Sequence, residues 1–162
     1  MIRIGIGYDS HRFQADRPLW LAGVEIPSEQ GLAGHSDADA ALHAVTDALL
    51  GALGEGDIGE HFPDTDPQWA NAASGRFVSH AVGLAHQAGL VVGNCDVTIL
   101  AETPKLAPHK DAMKAKLAEL LEVSPARVAI KAKTNEGMGF IGRGEGIAAM
   151  AAVLLQEPVN PS

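Results

Sequence analysis

Residues 37–54 carry two stripes at helical spacing, and few other folds than a helix laid against a core can satisfy both. Leu42, Val45, Leu49, Leu50 and Leu53 form an apolar stripe. Asp39, His43 and Asp47 fall at i, i+4 and i+8 and share another face. Such a helix packs one side inward and presents acids and a histidine to a cleft. Ser36 stands where an N-cap belongs, and Asp37 and Asp39 suit the positive end of the helix dipole.

The flanking segments supply a sheet for that helix. Ile2, Ile4 and Ile6 alternate with Arg3, Gly5 and Gly7, the period of a strand. Residues 19–26 read as a second strand ending at Pro27, and 95–101 and 127–132 as further strands. Helices are expected over 71–88 and 108–122. The segments 55–68, with five acids, two glycines and two prolines, and 133–146, with five glycines, read as structured loops. The tail from Ile147 is helical in composition but falls where the alternation wants a strand. With 162 residues and no internal repeat, the expectation is one α/β domain over 1–162, helices packed on one mixed sheet.

A net charge of −8 argues against nucleic acid as a partner, which requires a basic surface. It also repels any anionic substrate, so a phosphate site here must rely on metal cations, backbone N–H groups and a few local Lys or Arg residues. Cys95 is the only cysteine, so no intrachain disulfide forms. No apolar run reaches 18 residues, so no membrane span is expected. The N-terminus enters strand-like sequence at once, without signal- or transit-peptide character, and a cytoplasmic location is expected.

Five constellations carry chemistry. Asp9 and His11 project to the same side of an extended segment. With His43 they make an Asp/His/His set, the three protein ligands that a catalytic zinc with an open fourth position needs; the alternative is that His43 only decorates a solvated helix face. In the loop Asp57-Ile58-Gly59 and Phe62-Pro63-Asp64-Thr65-Asp66, the aspartates can accept from sugar hydroxyls or close Asx-turns. Ala101-Glu102-Thr103-Pro104-Lys105-Leu106 follows a strand, where α/β proteins bind ligands, and Lys105 is a phosphate contact or a solvated lysine. Thr134-Asn135-Glu136, then Gly139-Phe140 and Arg143, form a glycine-rich loop in which Glu136 offers a carboxylate to a hard cation such as Mg2+. His35-Ser36-Asp37-Ala38-Asp39 precedes His43 on the helix.

GYDSHRF at 7–13, HSDADAALHAVTDALLGA at 35–52, GDIGEHFPDTDP at 56–67, DVTILAETPKLAPH at 96–109 and KTNEGMGFIGRGEG at 133–146 stand in one order across nearly the whole chain. In these pieces the sequence resembles the 2-C-methyl-D-erythritol 2,4-cyclodiphosphate synthases of the non-mevalonate isoprenoid pathway. The resemblance implies zinc on Asp9, His11 and His43, and a second divalent cation, Mg2+ or Mn2+, on Glu136. It implies that His35 and Thr134 lie beside the transferring phosphoryl group. Ser36, the Asp57–Gly59 turn and the Phe62–Asp66 loop would meet the sugar alcohol or ribose. Residues 101–106 would form the cytidine pocket, and Lys133, Asn135, Phe140 and Arg143 would complete the diphosphate side. Lys133 stands where many family members have threonine.

The resemblance also implies a homotrimer with sites between subunits, a four-stranded mixed sheet with helices on one face, a small N-terminal hairpin and a C-terminal strand. The family's often fused cytidylyltransferase is not present in these residues, so one activity is expected. The implied substrate is a cytidine diphosphate-linked sugar alcohol phosphate, cyclised with release of CMP. A zinc-dependent phosphohydrolase using an activated water and a non-enzymatic metal-binding trimer are the competing readings.

Overall fold

The computed structural model describes residues 1–158; the last four residues of the 1–162 domain expected from the sequence lie outside the described residues. The first strand, β1, runs Ile2–Ala15, far beyond its isoleucine alternation. It pairs antiparallel with β7, Gly146–Gln156, from Ile2 opposite Gln156 to Arg12 opposite Gly146. The tail is thus a strand, despite its helical composition. β7 pairs antiparallel with β5, Val91–Leu100, and β5 pairs parallel with β6, Val128–Lys133.

The sheet has five strands, not the expected four, in the order β4-β1-β7-β5-β6. The extra strand is β4, Gln30–Leu32, which pairs with the far end of β1 at Phe13–Ala15. The sequence hides it because three residues are too few for a period to emerge. The segment 19–26 is likewise not one strand. It folds on itself as β2, Leu19–Leu21, against β3, Val24–Ile26. Ala22 at φ 50° and Gly23 at φ 78° make the two-residue reversal.

Four of the helical segments matter for the site: α1, Ala40–Leu53; α2, a single turn at Ile58–His61; α3, Gly75–Gln87; and α4, Lys110–Leu120. α1 begins three residues later than its pattern suggests. Ala38 takes φ 57°, which breaks the helix there, and Asp39, not Ser36, is the N-cap, its carboxylate accepting from Leu42 N.

α1 lies across β1 and β7 because β1 makes room for it. A Cβ on Gly5 would stand 1.8 Å from the Ala48 carbonyl oxygen, and one on Gly7 1.9 Å from that of Ala44. The alternation of β1 therefore sends glycines to the helix side and Ile2, Ile4, Ile6 and Tyr8 to the opposite side, where they are exposed together with Met150 of β7. The core lies between the sheet and the helices, built from α1 leucines, Val97, Ile99, Ile147, Val153 and Leu155.

Candidate metal centre

The odd-numbered residues of β1 that face α1 continue past the glycines to Asp9 and His11. At that level α1 presents His43, one turn from its start. The three meet: His11 Nε2 is 2.8 Å and His43 Nδ1 3.1 Å from Asp9 Oδ2, and the two imidazole nitrogens are 3.2 Å apart. Among the described residues, this is the one group of three such side chains whose ligand atoms lie close enough to share an ion.

The other nitrogen of His11 is engaged. Nδ1 donates to the Ala33 carbonyl at 2.6 Å, which in the neutral ring leaves the Nε2 lone pair directed at the cluster. Burial opposes ionisation of Asp9, but where the facing nitrogens His11 Nε2 and His43 Nδ1 carry protons, their hydrogen bonds and charge outweigh it and hold its carboxyl at about 2. Burial also opposes charging of His11; the hydrogen bond and charge of Asp9 prevail and raise its pKa. A carboxylate and two imidazole nitrogens converging on one point, with no lysine or arginine among their hydrogen-bond partners, suit a divalent cation of the nitrogen- and oxygen-liking kind.

The cluster opens into a cavity of about 310 Å³ lined by Asp9, His11, His35, Ser36, His43, Ile58, Phe62, Asp64, Trp69 and Phe77, with Gly34. Phe62 stacks on Phe77 at 4.3 Å and meets Trp69 edge-on at 5.1 Å, giving the cavity an aromatic wall. His35 is exposed at the rim, its Nε2 3.2 Å from the Asp66 carbonyl. Arg17 holds the backbone on either side of it, donating to the carbonyls of Gly34 and Ser36, each at 2.6 Å. The His35 carbonyl accepts from Asn71 N at 2.7 Å.

Not every acid on the helical stripe reaches this cavity. Asp39 is fully buried and accepts from Ala22 N, Gly23 N and Leu42 N at 2.9, 2.7 and 3.0 Å, tying the β2–β3 turn to α1. Burial pushes its carboxyl up to about 6 against those amide bonds. Asp47 accepts from Ile58 N at 2.8 Å and so anchors the acidic loop to α1; burial raises its pKa. Within the loop, Asp57 caps α2 through Glu60 N, and Asp66 accepts from Gln68 N. Asp64 faces the cavity, while Pro63 and Thr65 are exposed and Gly59 borders Asp57. Ser36 is buried, its Oγ 3.1 Å from His43 Nε2.

The remaining residues singled out in the sequence gather elsewhere, where the parallel strands β5 and β6 end. Ala101 N donates to the Lys133 carbonyl, and Glu102 Oε1 accepts from Asn135 N at 2.8 Å. Thr134 Oγ1 donates to Glu136 Oε1 at 3.1 Å. Thr103 and Pro104 line a separate cavity of about 480 Å³, Lys105 is exposed, and Leu106 is in the core. Phe140 borders a third cavity beside His11, and Arg143 donates to Glu145 at 2.7 Å. Sequence reasoning missed Arg17 and Ser74, since neither stands in a pattern of its own. Asp37 was legible as a helix-dipole acid and as a member of the His35–Asp39 constellation, without a role of its own.

The YgbB family model matches residues 2–156. The bifunctional enzyme IspD/IspF of Erythrobacter litoralis is 53% identical over 161 residues, which are 99% of this chain and 42% of that protein. The 2-C-methyl-D-erythritol 2,4-cyclodiphosphate synthase of Halalkalibacterium halodurans is 56% identical over 155 residues, 96% of this chain and 99% of that one. Among solved structures, a 2C-methyl-D-erythritol-2,4-cyclodiphosphate synthase in its CDP-bound form matches with a TM-score of 0.88 at 43% identity, over 95% of this chain and 100% of that one. The chain therefore spans about two fifths of the bifunctional relatives it matches and nearly all of the single-activity one.

Proposed function

Because this chain belongs to the YgbB family, we propose that it converts 4-diphosphocytidyl-2-C-methyl-D-erythritol 2-phosphate into 2-C-methyl-D-erythritol 2,4-cyclodiphosphate and releases CMP. The observation that carries this reading is the convergence of Asp9, His11 and His43 on one point of a cavity that His35 and Asp64 also line, in a chain of which 96% aligns with the Halalkalibacterium halodurans synthase.

Asp9, His11 Nε2 and His43 Nδ1 are the ligands we assign to zinc, and Glu136 the ligand to a second cation, Mg2+ or Mn2+; when bound, the two supply positive charge to the β-phosphate and to the departing CMP. The chain's own residues supply position. Asp64 and the Asp57–Gly59 turn hold the sugar alcohol hydroxyls. His35, fixed by Arg17, donates a hydrogen bond to the phosphoryl group, and Thr134 would do so from the glycine-rich loop by turning its hydroxyl away from Glu136. Residues 101–106 receive the cytidine. An oxygen of the substrate's 2-phosphate then attacks the β-phosphorus, the bond to the α–β bridging oxygen breaks, and CMP leaves with its electron pair. The nucleophile is already an anion, so no protein base or nucleophile is needed, and positioning dominates.

The metal cavity has no lining residue from 101–106 or 133–143, and the apolar face of Ile2, Ile4, Ile6, Tyr8 and Met150 is exposed in the single chain. Both features favour an assembly in which the metal centre of one subunit is completed by the cytidine loop of another, and the assembly we propose is a homotrimer. Among the described residues no helix is long and apolar enough to cross a membrane, and the cytoplasm is the compartment we assign.

The test is turnover of the purified protein on the cytidine substrate, with zinc stripped and then restored, in oxygen-18 water with phosphorus NMR detection. CMP and the cyclic diphosphate should form in equal amounts without label. Label in the phosphoryl product would identify water as the nucleophile and make the protein a phosphohydrolase.

A further inference from the structure

Asp37 and Ser74 take no part in the reading above, yet they stand directly behind a metal ligand. Ser74, immediately before α3, is fully buried. Its Oγ lies 2.8 Å from His43 Nε2 and in very short contact with Asp37 Oδ1. Asp37 is itself fixed by amides: Oδ2 accepts from Ser74 N at 3.0 Å, Oδ1 accepts from Asp39 N at 3.1 Å, and its own N–H donates to the Ala72 carbonyl at 3.0 Å.

A serine hydroxyl has one proton, and a carboxylate only accepts. The short contact with Asp37 therefore takes the Ser74 proton, since two bare acceptors would repel at that distance. Ser74 Oγ is left as an acceptor toward His43, so His43 Nε2 must carry the ring hydrogen. Ser36 Oγ, 3.1 Å from the same nitrogen, accepts from Ala38 N at 3.2 Å and is compatible with that polarity. The lone pair of His43 is thereby placed on Nδ1, the nitrogen that faces Asp9 and His11.

We infer that Asp37 and Ser74 form a relay that fixes the tautomer and ring orientation of His43, and that through it they set the metal affinity of the site. They are positioning residues, and the inference rests on the metal reading of the cavity. Groups that orient a ligating histidine are worth about 10–100-fold in metal affinity.

Zinc affinity, measured by competition with a chromophoric chelator, is expected to fall about 10–100-fold in Ser74→Ala and in Asp37→Asn. The visible absorption of the cobalt-substituted protein should shift in both. Ser74→Thr, which keeps the hydroxyl, should restore both values. In the metal-free wild-type protein, nitrogen-15 NMR at alkaline pH should find His43 as the Nε2–H tautomer, with a mixture in Ser74→Ala. Wild-type affinity and spectrum in Ser74→Ala would overturn the inference, as would an Nδ1–H tautomer in the wild-type protein. The second outcome is readable even if the variants fail to fold. Failure of the metal reading looks different: wild-type protein without bound zinc, or zinc retained in His43→Ala.

Discussion

Arg17 grips the chain on both sides of His35, one guanidinium nitrogen on the Gly34 carbonyl and another on the Ser36 carbonyl, each at 2.6 Å. No side chain contributes an acceptor to this clamp, so its strength depends on the flat two-pronged geometry that lysine lacks. Arg17→Lys should thus behave much like Arg17→Ala. Both should lower kcat on the order of 10–100-fold, the scale of a small misplacement at a reacting centre, while zinc content by atomic absorption stays at the wild-type value. Loss of zinc in parallel with activity would show that Arg17 supports the ligands and not His35.

Gly7 sits under the Ala44 carbonyl, next in sequence to His43. Gly7→Ala forces α1 away from β1 at the level of the metal ligands. Overpacking of this kind costs about 1–3 kcal/mol, which a thermal melt of the metal-free protein will register. Zinc affinity should fall as well, because His43 moves with the helix while Asp9 and His11 stay on the strand. Gly83, whose added Cβ meets nothing within 4 Å, is the control position for both measurements.

Acid should compete with the metal at His11. Its pKa is raised above 6.5 because Asp9 outweighs the effect of burial, so protons displace the metal from that value downward, with affinity falling about tenfold per pH unit for one displaced proton. In the metal-free protein, the raised His11 contributes stability that is full below 6.5 and lost as pH rises through its folded value. Asp9, held at about 2, contributes stability present above 3.8 and lost as pH falls toward 2. The pair is thus most stabilising between these limits. Melting temperatures across this range, for wild type minus Asp9→Asn, should peak there; a flat difference would exclude the pairing.

Ile6 is 79% exposed in the single chain. On an isolated subunit Ile6→Asp would change stability within about 0.5 kcal/mol. If the apolar face joins subunits, the same change leaves single chains in light scattering and abolishes turnover. Complementation gives the converse: a His43→Ala chain mixed with a Lys105→Ala chain should recover partial activity if each site draws on two subunits. An Ile6→Asp protein of unchanged mass and activity would refute the shared-site assembly.

Much of the fold was legible because its long elements carry clean periods. The i, i+2 relation of Asp9 and His11 and the helical position of His43 were enough to place three side chains on one side of the chain. What stayed hidden was short or non-periodic. β4 has three residues, and the β2–β3 reversal turns on Ala22 in a left-handed conformation that its residue type does not announce. Ser36 resembles an N-cap in sequence, but Ala38 interrupts the helix and hands that role to Asp39. Asp39 in turn is spent on three amides, which spacing along a helix could not foretell. Ser74 lies 31 residues from His43, and only tertiary packing brings them together.

The alternation along β1 has a consequence for how this segment can vary. Its odd positions seat the helix and hold the metal ligands, while its even positions form the exposed apolar face. Deleting or inserting one residue between Gly5 and Asp9 would exchange the two sides. Asp9 and His11 would turn outward, and a bulky side chain would be driven into α1. The helix seat, the ligand set and the outer face would be lost in a single event, so the length of this stretch is as constrained as the glycines within it.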